Sequence, residues 1–278
     1  MSFLMTFSLS FLMLGTQAAG PAPVDLEAIL EHEAEYCRRL ESAALEFVCL
    51  EDVVEKIDQS KDIETLRWQT PRDRPPTSIR RTFLYDFQYV RKGSDVREMR
   101  TLIKKNGKET VVREAELETR NFVYRNAVLA PVGMFGEKWR NAFRYRLAGT
   151  GRAGGRDCVI VEATAKGGLA EVDFLSGRAF IDKATLEILK IEWSEKGIGN
   201  REIFERRANL YHMRPSITVI SEFEIEKNGI RFPSRHLIEE LYYGLGGMDR
   251  SGRFLRSRTT IVYREFKFFM VTVEKSFA

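Results

Sequence analysis

The chain has 278 residues, 44% hydrophobic, 30% charged and 11% aromatic, which describes a globular protein with a core, in one large or two small domains. Its 44 Lys and Arg against 40 Asp and Glu leave a net charge of +4, too slight and too dispersed for a nucleic-acid footprint. The arginine clusters (Arg80-Arg81, Arg206-Arg207, Arg250 to Arg258) read as solvated sheet faces and loops, or as a weak attraction to anionic lipid or a partner.

From Met1 to Val24 no side chain is charged, and Phe3 to Leu14 is almost wholly apolar. Small residues follow at Thr16, Ala18 and Ala19. An apolar run of that length ending in an A-x-A-like site predicts a secretory signal over residues 1–19, too short to span a bilayer. An uncleaved membrane anchor is the competing reading. No composition break follows, so residues 25–278 are expected to form one domain, exported.

Asp25 to Glu46 carries apolar residues at helical spacing, with Asp25 placed as the cap. Phe47 to Ile57 then looks extended, and the polar stretch Asp58 to Thr77, with Pro71, Pro75 and Pro76, reads as a loop. The three cysteines, Cys37, Cys49 and Cys158, leave at least one unpaired. In an oxidising compartment a Cys37–Cys49 bridge would staple the helix to the first strand; otherwise both are small buried hydrophobes. No cysteine pair has zinc-ligand spacing.

From Ile79 the period changes to two. Thr82 to Val90 reads TFLYDFQYV, placing Phe83, Tyr85, Phe87 and Tyr89 on one side of a strand. Each ring buries ~150–250 Å². Something must cover them: a second layer, the far side of a curled sheet, or an apolar ligand. Val96 to Lys104 and Lys108 to Glu114 form a hairpin across Asn106-Gly107. Beyond residues 116–124 the pattern turns helical over Pro131 to Phe143. Strands are then expected at Arg144–Leu147, Asp157–Thr164, Glu171–Phe174, Arg178–Ile181 and Leu186–Ser194. Ile217–Lys227 puts Ile217, Val219, Phe223 and Ile225 on one face, and Asn228-Gly229 turns it into Ile230–Tyr242. Thr259–Glu274 is a long last strand with a bulge expected near Arg264-Glu265.

About ten strands at ~4.8 Å spacing make a sheet roughly 45 Å wide, and two helices ~10 Å across cover about half of one face. The rest must be covered by curling. The fold class expected is mainly β (α+β): a strongly curved antiparallel sheet forming an incomplete barrel, with an N-terminal helix and a short helical lid.

No catalytic constellation is visible. His32, His212 and His236 are scattered and read as surface or structural. Gly149 to Gly154 matches a G-x-G-x-x-G string, but a strand follows where the motif requires a helix, so it reads as a hairpin loop. Glu222, Glu224 and Glu226 share a polar strand face, and Glu239-Glu240 stands out no further. No enzyme activity, metal or cofactor is expected.

Three stretches resemble outer-membrane lipoprotein carrier-like (LolA/LolB-like) periplasmic proteins. The hairpin SGRAFIDKATLEILKIEW carries Gly177, Phe180, Ile181, Asp182, Thr185 and Ile188 to Glu192; NGIRFPSRHLIEE and TTIVYREFKFFMVTVE are similar to the hairpin and last strands that follow. The resemblance implies a half-barrel with a helical lid and an apolar cavity, working in a Gram-negative periplasm. The expected function is an exported binding protein sheltering an acyl chain, lipid or lipidated protein; the alternative is a protein-interaction or envelope-stress sensor module. Phe83, Tyr85, Phe87, Tyr89, Ile160, Leu189, Ile191, Trp193, Val219 and Phe223 are the candidate cavity lining. A filled core would use the same residues, and a slip of one residue would exchange the faces.

Overall fold

A computed structural model describes residues 25–62, 76–92, 95–119, 127–167, 175–195, 201–244 and 252–269. The expected leader, most of the Pro-rich loop, the strand at 171–174 and the end of the last strand lie outside them. Among these residues, three α-helices and thirteen strands follow in chain order: α1 (Leu26–Ala43), β1 (Phe47–Asp58), β2 (Ser78–Lys92), β3 (Asp95–Lys105), β4 (Lys108–Val112), α2 (Ala130–Phe135), β5 (Phe143–Ala153), β6 (Arg156–Ala165), β7 (Gly177–Asp182), β8 (Ile188–Trp193), α3 (Arg201–Tyr211), β9 (Met213–Glu222), β10 (Ile225–Lys227), β11 (Ile230–Phe232), β12 (Arg235–Gly244) and β13 (Arg253–Phe268). Eleven of the strands form one antiparallel sheet, β4-β3-β2-β1-β13-β12-β9-β8-β7-β6-β5, and β10-β11 is a separate hairpin. The large sheet is curved and not closed: β4 and β5 remain edges. Its last strand inserts between β1 and β12, so the centre of the sheet pairs residues about 200 positions apart in sequence.

Local chemistry accounts for most of these elements. Asp25 caps α1 by accepting from the Glu27 N–H, and the buried stripe Ile29, Leu30, Cys37, Leu40 faces inward. Asn106-Gly107 and Asn228-Gly229 adopt positive φ at both positions, as tight hairpin turns require. The bulge in β13 is present: Val48 and Leu50 pair with Lys267 and Arg264, and Glu265 takes φ 56°. This lets Phe266 and Phe268 join Phe47 and Phe232 in an aromatic cluster with centroids 5.0–5.7 Å from Phe47.

Four expectations are corrected. The string Gly149–Gly154 is mostly strand, because β5 continues to Ala153 and the turn is made by Gly154-Gly155. The helix expected over Pro131–Phe143 divides at Gly136 (ψ 140°) into α2 and a 3-10 segment Glu137–Ala142. The strand expected to run from Ile217 to Lys227 ends at Glu222, and Ile230 to Tyr242 is interrupted by Pro233, which has no N–H to give the ladder. Finally, α3 was not foreseen: only Phe204 and Ala208 of it are buried, too thin a stripe to register as a period.

Gly177 opens β7 where a Cβ would sit 2.5 Å from the Glu192 carbonyl oxygen. Gly177→Ala is therefore expected to destabilise by about 1–3 kcal/mol in urea denaturation, the range for forced overpacking.

Candidate functional site

The covering of the aromatic row decides what the concave face can hold. Phe83, Tyr85, Phe87 and Tyr89 are 1%, 0%, 0% and 3% exposed. They belong to one cluster with Ile29 and Leu40 of α1, Met134 and Phe135 of α2, and Val159, Val161, Ile181 and Ile191 from the far half of the sheet. Curling and two helices thus seal the rings together. Phe87 packs edge-on against Tyr89 and Tyr263, at 5.4 and 5.9 Å between centroids.

Charge is threaded through the same face. Glu51 and Glu55 are wholly buried on the inner side of β1, in phase with Phe47, Cys49 and Val53. Arg100 of β3 donates through Nε and Nη2 to the Glu51 carboxylate at 2.6 and 3.1 Å and through Nη1 to Glu98 at 2.9 Å, while its guanidinium lies 4.9 Å from the Phe87 centroid. Tyr263 donates to Glu51 at 3.0 Å. Burial pushes the Glu51 carboxyl up, and Arg100 pulls against that shift. Arg81 pairs with Glu55 at 3.2 Å. At the α3 end, Glu240 accepts from Tyr242, Arg207, Ser257 and Arg256 at 2.6–3.3 Å, and Arg256 reaches Asp62 at 3.0 Å. These networks stiffen the wall of the half-barrel; they do not make it an oily interior.

A cleft of about 650 Å³ opens at the ends of β6 to β9. Ala163, Gly177, Trp193 and Val219 stand in one row across those four strands, and Ala163, Gly177 and Trp193 line the cleft. Ala165 and Ile217 extend the apolar lining, and Glu162, Arg178, Glu192 and Glu195 supply the charged part. Trp193 Nε1 donates to Ser221 Oγ at 2.8 Å, and Ser221 Oγ lies 2.9 Å from His236 Nδ1. A serine and histidine at this separation have the spacing of a nucleophile and its base, but both are sealed, at 1% and 0% exposure. Burial pushes His236 from 6.5 down to about 3. The native state holds fewer protons than the unfolded chain between those values, so this contribution to stability falls as pH drops through that window.

Of the ten residues singled out from the sequence, eight share the inner cluster: Phe83, Tyr85, Phe87, Tyr89, Ile191, Trp193, Val219 and Phe223. Trp193 alone among them lines the cleft. Ile160 and Leu189 face the opposite side, in a small cluster with Ala153, Cys158 and Phe180. Ile160 alternates against Val159 and Val161, and Leu189 is displaced where β7 and β8 shift register between Phe180 and Ile181. The Cys37–Cys49 bridge is not formed. All three cysteines are free and buried; Cys37 Sγ points to the Pro131 carbonyl of α2 at 3.4 Å, whereas Cys49 sits in the β1 ladder opposite Phe87.

No protein-family model and no curated protein matches the chain. Solved structures do, at low sequence identity. A DUF1329 family protein from Desulfovibrio piger is 14% identical, with 88% of this chain and 95% of that chain covered at a TM-score of 0.41. A putative outer membrane lipoprotein-sorting protein domain from Vibrio parahaemolyticus is 10% identical over the same shares at 0.41. A LolA superfamily protein from Nitrosomonas europaea is 14% identical, with 90% and 96% covered at 0.36. Likenesses at these scores carry no argument about what the chain does.

Proposed function

We propose that this chain is an exported, non-enzymatic binding protein that shelters the acyl chain of a lipid or lipidated protein, and that the chain enters at the Trp193 cleft. The observation that supports it is the cleft itself: its size falls within the ~300–1,000 Å³ of small-molecule sites, and apolar lining continues from it into the aromatic cluster. The charged part of its wall suits a polar headgroup. Each methylene buried there contributes ~0.8 kcal/mol. The uncharged apolar run Phe3–Leu14 supports export to the periplasm, and no helix among the described residues is long and apolar enough to cross a membrane.

A fluorescent long-chain fatty acid titrated into the purified chain tests this. Saturable binding is expected, weakened at least tenfold by Ala165→Trp, which fills the cleft, with circular dichroism unchanged. Absence of binding, or equal binding by the filled variant, overturns the reading. A second reading, capture of an extended polypeptide as an added strand, is favoured by the free edge of β4, where Val111 is 75% exposed. Polypeptide binding lost on Val111→Pro and retained in Ala165→Trp distinguishes it.

A further inference from the structure

Glu33 occupies the middle of the buried stripe of α1, between Ile29 and Leu30 on one side and Cys37 and Leu40 on the other. It is 0% exposed, and neither carboxyl oxygen has a hydrogen-bond partner among the described residues. A charge in that position is untenable, because a buried carboxylate needs either a cation or several donors. The groups around it supply neither. Glu187, in the turn between β7 and β8, faces it with like charge. Arg231 of β11 is committed to Glu187 at 2.8 Å, to Glu226 at 3.4 Å and to the Phe223 carbonyl at 3.4 Å. Tyr36 of α1 gives its hydroxyl hydrogen to the Arg231 carbonyl at 2.8 Å, and Cys37 gives its own to Pro131. The segment of α2, APVGMF, has no titratable side chain. Glu41 adds a further negative charge beyond Cys37.

The rest of the α1 seat is light. Among the described residues, apart from apolar packing, it consists of the Tyr36 and Cys37 bonds, two bonds from Arg39 to the Asn228 and Gly229 carbonyls, and an exposed ion pair between Glu27 and Arg140. A helix held this way can lift as a unit.

We propose that α1 is a pH-dependent clasp, seated over the aromatic face while the Glu33 carboxyl is protonated and released as that carboxyl ionises. The sign follows from proton uptake. Burial first, and Glu187 second, push Glu33 well above the 4.5 of a free carboxyl. Seated α1 therefore holds a proton that released α1 does not, and seating weakens as pH rises through that interval, by up to about tenfold per pH unit. Release would uncover Ile29, Leu40, Phe47 and Phe232, widening access to the same cluster that the cleft reaches.

Hydrogen exchange of the full exported chain from pH 5 to 8, corrected for intrinsic rates, tests the clasp. Protection of the α1 segment is expected to fall by up to tenfold per pH unit over part of this range while that of α3 stays level. Glu33→Gln is expected to abolish the slope and to leave α1 more protected than wild type at pH 8. A flat wild-type profile for α1, a profile that tracks α3, or an unchanged slope in Glu33→Gln overturns the proposal. Should Glu33→Gln fold poorly, Glu33→Leu and the wild-type series decide it by the same criteria. The readout needs no ligand, so its failure is separate from failure of the binding function.

Discussion

Arg100→Met is expected to destabilise the chain by about 3–5 kcal/mol, the cost of stripping a buried ion pair of one partner. Arg100 is the cation for two carboxylates at once: Glu51, whose side chain is 0% exposed, and Glu98, at 8%. Without it Glu51 keeps only the Tyr263 hydroxyl, and the Phe87 ring loses the guanidinium over its face. The loss should also acquire a pH dependence. With the guanidinium gone, the Glu51 carboxyl rises further above its unfolded value, so the variant holds an extra proton when native and loses stability as pH rises from about 4.5, the free-carboxyl value. Urea unfolding at pH 4.5 and pH 8 measures both effects. The double variant Glu51→Leu, Arg100→Met removes the charge and its need together and is expected to recover most of the loss. Additive losses in the double variant would show that the two groups act independently.

Phe87→Ala is expected to cost about 3–5 kcal/mol, as for a fully enclosed ring whose loss leaves a cavity. Phe87→Asp is expected to unfold the chain. At 0% exposure, with Tyr89, Tyr263 and Arg100 packed around it, the position would bury the new carboxylate among rings. Near-ultraviolet circular dichroism of Phe87→Asp decides the matter. A native spectrum would mean that the aromatic row borders removable contents, as expected if Phe83, Tyr85, Phe87 and Tyr89 form a ligand-binding surface.

Much of the sheet is legible residue by residue, because its signals are local. Period-two rings mark β2, Asn-Gly marks two turns, and the lapse of alternation at Arg264-Glu265 marks the β13 bulge. The curvature too can be reasoned from width against helix count. What escaped depends on pairings distant in sequence. Nothing near Thr259 says that β13 will lie between β1 and β12. The apolar run CVIV in β6 is hydrophobic on both faces, so phase alone could not assign Ile160. Leu189 is moved by a register shift set by its neighbour strand. The buried charges were readable in part: Glu51 and Glu55 fall in step with Phe47, Cys49, Val53 and Ile57, which places two carboxylates at core positions. Their partners Arg100 and Arg81 come from other strands, and only the fold brings them close.

The cleft was half visible. Trp193 belonged to the expected lining, but the other lining residues, Ala163 and Gly177 among them, come from two other strands that only the pairing brings into one row with it. Sequence marks a large residue more readily than the absence of one.

Mass spectrometry of the chain purified without detergent, under conditions that preserve the fold, tests the proposed binding function most directly. The expected spectrum has a population carrying an adduct that organic solvent extracts and that fragments as an acyl lipid, missing from Ala165→Trp. A bare mass for the wild-type chain, from protein whose circular dichroism is native and which takes up no added fatty acid, would contradict it.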